Sequence, residues 1–554
     1  MTRPSLAPEV LADLIRSVPA RVAKRLDASP LAAEAWTWTD AETVTIAAGD
    51  ETVSLARGAV RTLADASCTC LLQPRCFHLL AVLSVLPVEA PSPSDEARGD
   101  APAALDGAPT EPLSAEARAA AAMAFDVGAR LLSAGLSRAS TLRMGELVRV
   151  VYACRRAGLP RLEAAALAVY EAARDLRERA PSFRLEEAAG RLAELLLVAG
   201  RLTEGDASRE WRGVARRTYA ERRSLRLAGL GSEPVLSKGY AGVVTYFTDG
   251  ESVFSAQEVM PGDDDRAVHA YDAQLRFGET SLSHREAARG GLLFASAQVS
   301  ADGRLGAGKS VACVATAHDS RLVARLFDPP LPAQLARASR GEAHGLLFVR
   351  GTFAGGPGPD APCLVVDRGA PHADPSASVV TLPLALPIDD LRFAFRENLA
   401  RLAQAAARVH LVARVTPDEA PLAPVAVGLD DGRWFSLGYD RLAARDLPSE
   451  PPEAPRPAVT RAPGAPALDA VRRRALRFAL AGTESLPSAA LPEITREAER
   501  LRAALMGVGA DALTALALAP RDAPADVARA WLALHVYWRV AETTLTRARW
   551  GLDE

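Results

Sequence analysis

"CTCLLQPRCFHLLAVL" spans Cys68–Leu83. Three of the chain's six cysteines fall within its first nine residues, and His78 stands two residues after Cys76. The pattern is Cys-x-Cys, five residues, then Cys-x-His. Zinc takes four soft or borderline ligands at tetrahedral angles, with Zn–S near ~2.3 Å and Zn–N near ~2.0 Å. A tight pair on one turn and a second tight pair shortly after can close around one ion. The intervening segment, which includes Pro74, is long enough to turn the chain back. Cys68, Cys70, Cys76 and His78 are therefore the predicted ligands of one structural Zn2+. All four positions are filled by protein, the mark of a structural rather than a hydrolytic site. Two readings compete: core residues adjacent by chance, and a redox dithiol. Redox motifs usually carry Cys-x-x-Cys, which is absent here.

The flanks supply a setting. "VTIAAGDETVSLA" (Val44–Ala56) holds two apolar-rich runs around Gly49-Asp50 and predicts a β-hairpin. "HLLAVLSVL" (His78–Leu86) predicts a short buried helix, with a strand as the alternative for so short a run. One further helix is predicted over Val10–Leu26. Residues 1–87 thus read as a small ββα zinc finger module. Its metal should be coupled to folding, since four ligands gather in a small core. The ring nitrogen of His78 that does not bind metal should donate to a carbonyl or carboxylate.

Ligand order and spacing resemble the SWIM zinc finger, over residues 43–83. In that family the first pair lies by a β-hairpin and the second opens a helix, as the flanks here predict. The gap of five is at the short end, and Phe77 stands where a basic residue is common. The resemblance implies a bacterial recognition protein whose finger binds nucleic acid or protein. It also implies partners, since bacterial members accompany AAA-type ATPases, von Willebrand A-type proteins or SWI/SNF-type helicases.

The 554 residues are 49% hydrophobic, enough for three or four cores. A net charge of −3 gives no global attraction to phosphate or anionic lipid, so nucleic acid would need a local basic patch. Lysine is confined to Lys24, Lys238 and Lys309, a composition matching a GC-rich bacterial genome. No signal peptide and no membrane-length apolar run are apparent, so a cytoplasmic protein without membrane partners is expected. In that compartment clustered cysteines point to metal more than to disulfides. Cys154, Cys313 and Cys363 lie in apolar contexts and read as buried thiols.

Two stretches rich in Pro and Ala, 88–112 and 448–467, read as linkers. Between them, 113–224 predicts a helical bundle of four or five helices, with Ser182 as one N-cap. Leu147, Val151 and Cys154 share one helix face there. Residues 225–447 alternate apolar and polar residues around Asp-Gly turns and predict a β-rich α+β domain. Residues 468–554 predict a C-terminal helical region, so the expected class is multidomain α+β.

Three other segments carry chemical signals. "GRLGAGKS", with Gly303, Gly308, Lys309 and Ser310, fits the phosphate-loop pattern, the alternative being an ATPase or GTPase. That mechanism needs a buried strand before the loop and a helix after it. Here "VACVATA" follows and alternates as a strand does, so a hairpin connection is expected, with "CLVVD" (Cys363–Asp367) the nearest second nucleotide motif. "REWRGVARRTYAERRSLR" (Arg209–Arg226) has seven arginines and two glutamates. Arg212, Arg216, Arg217, Arg222 and Arg223 are its candidate nucleic-acid contacts, with Trp211 and Tyr219 beside them. The plainer reading is a solvated helix face entering the β domain. "GDDD" (Gly262–Asp265) reads as an acidic loop tip. The remaining histidines are scattered, and no hydrolytic constellation assembles. The sequence therefore predicts a non-enzymatic, zinc-stabilised binding or scaffold protein. Protein partners are favoured over DNA because of the acidic balance.

Overall fold

The chain opens with β1 (Ser5–Leu6), α1 (Pro8–Ser17) and α2 (Ala20–Ala28). The single helix predicted over Val10–Leu26 is thus two. Pro19 lacks an N–H and biases Val18 toward extended backbone, where both residues sit at ψ 146°. Then come β2 (Thr37–Asp40), β3 (Val44–Ala48), β4 (Glu51–Leu55), β5 (Ala59–Val60) and β6 (Ala66–Cys68). Four of them form an antiparallel sheet in the order β2-β3-β4-β6. The predicted hairpin is β3–β4: Ala48 faces Glu51 across Gly49-Asp50, and Gly49 adopts φ +69°. The predicted buried helix is α3 (Phe77–Ser84).

This computed structural model describes residues 3–29, 32–41, 43–87, 112–180, 183–213, 219–237, 239–308, 311–355, 362–367, 379–415, 422–447 and 466–549. Nearly all of both expected linkers, and Ser182, lie outside the described residues.

Five helices follow: α4 (Ala115–Ala134), α5 (Thr141–Arg156), α6 (Pro160–Arg177), α7 (Leu185–Thr203) and α8 (Arg209–Arg212). Ser114 and Ser140 cap α4 and α5 by accepting from the backbone N–H groups of Ala117 and Arg143. Leu147, Val151 and Cys154 are buried on one face of α5, as their spacing predicts.

A β-rich region comes next. Its first half holds β7 (Tyr219–Ser237), β8 (Tyr240–Thr248), β9 (Val253–Pro261), α9 (Asp264–His269), β10 (Gln274–Phe277), β11 (Thr280–Ser283), α10 (His284–Arg289), β12 (Gly291–Ser300), β13 (Leu305–Gly306), β14 (Ala312–Thr316), α11 (Ser320–Arg325) and α12 (Leu331–Ser339). The second half holds β15 (Leu346–Gly355), β16 (Pro362–Asp367), β17 (Val379–Pro383), α13 (Phe395–Gln404), β18 (Arg408–Val415), β19 (Leu422–Gly428) and β20 (Trp434–Ser436). The chain ends its described course in α14 (Pro466–Ala481), α15 (Leu491–Ala503), α16 (Gly507–Leu518) and α17 (Pro524–Arg549).

The two halves build sheets whose first five strands share one order. The first runs β9-β8-β7-β12 with β13 and β14 both paired to β12; the second runs β17-β16-β15-β18-β19-β20. In each, the first three strands form a meander, a helix follows, and the fourth strand returns beside the first. The helices correspond too: α10 lies on β7 and β8, and α13 on β15 and β16. The sheets meet through Ala228, Leu230 and Tyr246 on one side and Leu346, Phe348, Val412 and Ala426 on the other. Gly231, at φ +129° in a bulge of the β7–β8 pairing, permits this approach: a Cβ there would lie 2.4 Å from that of Ala426.

A polar lock seals one edge of this contact. Asp440, buried, accepts from Arg285 (3.1 Å), Arg289 (2.7 Å), the Tyr271 hydroxyl (3.1 Å) and the Ser436 backbone (2.8 Å). Beside it, His284 is fully buried and its Nδ1 lies 2.7 Å from Thr245 Oγ1.

Two packing relations were not visible in the sequence. Residues 113–224 and 468–554, read as separate blocks, bury one common core: Leu131, Leu147, Leu195 and Leu196 share a cluster with Phe478, Leu513, Trp531 and Trp538. The N-terminal module is likewise not merely tethered. Leu11, Leu14, Ile15 and Leu26 bury against Leu293, Ala295 and Val314 of β12 and β14.

Two predictions follow from this packing. Gly231→Ala should cost roughly 2–4 kcal/mol through steric overlap and backbone strain, and Ala426→Gly in the same chain should recover part of it, read from denaturant midpoints. Burial pushes His284 and His535 down to about 4, below the unfolded value of 6.5. The unfolded chain therefore takes up these protons first, and stability is lost as pH falls from about 6.5 toward 4, by up to about 3 kcal/mol per histidine. Thermal unfolding across that window should show this slope, and His284→Gln should flatten it; an unchanged slope refutes the assignment.

Candidate metal centre

Cys68 is the last residue of β6, so the sheet fixes the first ligand. Cys70 follows on the turn leaving the strand. The residue between them, Thr69, ties that turn to the hairpin: its N–H donates to the Thr52 carbonyl (3.0 Å), and its Oγ1 accepts from the Thr52 N–H (2.9 Å) and donates to the Glu51 carboxylate. The chain then loops through Leu71–Arg75 and enters α3. Cys76 is the N-cap, its Sγ accepting from the Leu79 N–H at 3.3 Å, and His78 lies in the first turn.

The ligand atoms of Cys68, Cys70, Cys76 and His78 all lie within 4.8 Å of one another. Cys68 Sγ stands 3.8 Å from His78 Nδ1. Bond lengths of ~2.3 and ~2.0 Å at tetrahedral angles require S···N separations of roughly 3.5 Å, so small adjustments would close the shell. Cys68 and Cys76 are buried, and Cys70 and His78 are half-buried. Burial, with the neighbouring thiols, pushes Cys76 up to about 12 and raises Cys68 as well. A bound divalent ion is what would stabilise such buried thiols as thiolates. The donor set therefore fits a metal ion and is compatible with a zinc site.

The surroundings differ from expectation in one respect. Among the described residues His78 makes no hydrogen bond to a carbonyl or carboxylate. Its ring packs against Trp36 and Phe77, with centroids 5.9 Å away in each case. An aromatic wall, rather than a polar partner, orients the imidazole. The Arg25 guanidinium of α2 stands over the Phe77 ring at 4.3 Å. At the outer side of the loop, Leu71 is 103% and Leu72 55% exposed.

The other candidate residues do not assemble. Arg212 ends α8, where Gly213 at φ +79° stops the helix. Arg222 and Arg223 lie on β7, so the predicted helix is there a strand, with Leu225 and Leu227 buried. Arg222 stands over Phe254 (5.8 Å), and Arg223 lies 3.5 Å from Glu221. Trp211 lies beside the guanidinium groups of Arg161 (4.8 Å) and Arg201 (5.7 Å). Arg216 and Arg217 lie outside the described residues.

The described part of the phosphate-loop pattern lies in a turn and a short strand. Gly303 sits in the β12–β13 turn at φ +79°, where a Cβ would lie 2.6 Å from the Val253 carbonyl oxygen. β13 and β14 both pair antiparallel with β12, and β14 stands where a phosphate-binding helix would have to begin. Gly303 and Gly306 are explained by the turn and by close contact with Tyr219. Gly308 lies between β13 and β14, and Lys309 and Ser310 lie outside the described residues. "CLVVD" is β16, and the acidic run opens α9, with Asp264 3.9 Å from Arg392.

Comparison with known proteins finds no matching family model, no matching curated protein and no matching solved structure. What the structure shows is the cluster of Cys68, Cys70, Cys76 and His78, compatible with a zinc site. No helix among the described residues is long and apolar enough to cross a membrane.

Sequence reasoning missed Glu51, Trp36 and Arg25, because only tertiary contact brings them to the site, and Thr69, whose place between two ligands does not announce its bonds to Thr52 and Glu51. Removing the Thr69 bonds should loosen the turn that holds two ligands: Thr69→Val should weaken metal binding about 10–100-fold, with Thr69→Ser close to wild type, in competition with a chromophoric chelator.

Proposed function

We propose that this chain is a zinc-binding, non-catalytic scaffold or adaptor whose N-terminal module presents a recognition surface to a protein partner. The observation that carries this reading is the convergence of three thiols and an imidazole within 4.8 Å, on a β-turn and a helix N-terminus. A Cys3His set with four protein donors suits Zn2+ and leaves no position for substrate, which favours a structural ion over a catalytic one. The ion would fix the loop that carries Leu71 and Leu72. Two adjacent exposed leucines on a rigid loop suit an apolar contact on another protein. The SWIM resemblance suggests an AAA-type ATPase or a von Willebrand A-type protein as that partner, in a bacterial cytoplasm. Against DNA stand the net charge of −3 and the packing of Arg222 over Phe254.

Purified protein should contain one zinc per chain by elemental analysis, and Cys68→Ser should lose it; intact protein free of zinc refutes the premise. Leu71→Glu with Leu72→Glu should keep the zinc yet lose an AAA-type ATPase that co-purifies with wild type from the native host. A salt-dependent shift with DNA, weakened by Arg222→Ala and Arg223→Ala, would instead favour nucleic acid.

A further inference from the structure

We propose that the metal centre is one end of a clamp, and that its occupancy decides whether the N-terminal module stays docked over β12 and β14. The inference rests on the metal reading of the four ligands and goes beyond it.

The clamp is α3. Its N-terminus carries Cys76 and His78. Just past its C-terminus, the Leu86 carbonyl accepts from the guanidinium of Arg226 on β7 at 3.1 Å. Arg226 is largely buried, with Asp319 at 3.6 Å as its partner in charge. The start of the chain ties in at the same end: the Leu6 N–H donates to the Pro87 carbonyl (2.8 Å), and Arg3 reaches the Val85 carbonyl (3.3 Å). Between its two ends, α3 buries seven of its eight residues, mostly against α1, α2 and the hairpin.

Eight residues are too few to hold a helix in water, where nucleation is costly and isolated helices below ~12 residues are marginal. α3 therefore persists only through what grips it. The metal grips one end, and the body, through Arg226, grips the other. Removing the ion frees the first turn of α3 and withdraws the surface on which α1 and α2 rest. Those two helices cover Leu293, Ala295 and Val314, all buried under the module. Their undocking would leave an apolar patch of the sheet bare and Arg226 without its carbonyl.

Coupling of this kind is reciprocal: if the metal favours docking, docking favours the metal by the same factor. Arg226 contacts none of the four ligands, yet its side chain should tune their affinity.

The full chain should be compared with and without zinc by hydrogen exchange. Stripping the ion with a strong chelator should deprotect α1 and α2, which hold no ligand, together with β14, while α4–α7 stay protected. Arg226→Gln should weaken zinc binding about tenfold or more, measured by competition. Deprotection confined to residues 66–84, or zinc affinity unchanged in Arg226→Gln, overturns the clamp. If Arg226→Gln fails to fold, the exchange experiment on the wild-type chain decides alone. A wild-type chain that binds no zinc removes the metal reading, and the clamp with it; zinc bound and removed without effect on α1 and α2 removes only the clamp.

Discussion

A helix that is apolar on all sides needs a neighbour on all sides, and α3 is such a helix. Leu79, Leu80, Ala81, Val82 and Leu83 are each fully buried, so no face is left for water. The rest of the N-terminal module is arranged to satisfy that demand: β4 and β6 on one side, α1 and α2 on others. Its backbone ends are handled separately. Cys76 Sγ receives one orphan N–H at the start, and Arg226 covers a carbonyl just past the end. The cysteine that caps the helix is also a candidate metal ligand, so helix and metal centre share one atom.

What was legible in the sequence is what is local. The four ligands lie within eleven residues, the hairpin is announced by Gly49-Asp50, and the run after Cys76 is too apolar to face water. Each of these depends on neighbours a few positions away. The break at Val18-Pro19 was legible in principle, since proline forbids what the apolar spacing suggested. The start of the strand at Tyr219–Ser237 was hidden because Arg222, Arg223 and Arg226 mask its alternation, and Leu225 and Leu227 mark the inward face. The orientation of His78 by Trp36, and the burial of Arg226, depend on contacts across distant segments that no local pattern encodes.

The phosphate-loop pattern shows the same limit from the other side. Its glycines are real constraints, but what they obey is a tight turn beside the Val253 carbonyl and the ring of Tyr219. A pattern of residue types records that close approach is needed, and not what approaches. The order shared by the first five strands of both sheets was equally invisible, because strand order is set by tertiary pairing. Between those sheets Asp440 gathers two guanidinium groups and a phenol, which makes their alignment specific where apolar contact alone would let them slide.

The shared core of α4–α7 and α14–α17 has a consequence for how the molecule is made. The β-rich region is inserted between two sequence segments that complete one helical unit. A ribosome delivers α4–α7 long before the helices they pack against, at ~5–20 residues per second. For that interval, of roughly ten seconds or more, Leu131, Leu195 and Leu196 lack the aromatic partners Phe478, Trp531 and Trp538. The early helices must wait, half-covered, while two sheets fold in the gap. The order of synthesis thus runs against the order of assembly, and a nascent chain of this protein is a natural client for chaperones that shield apolar helices.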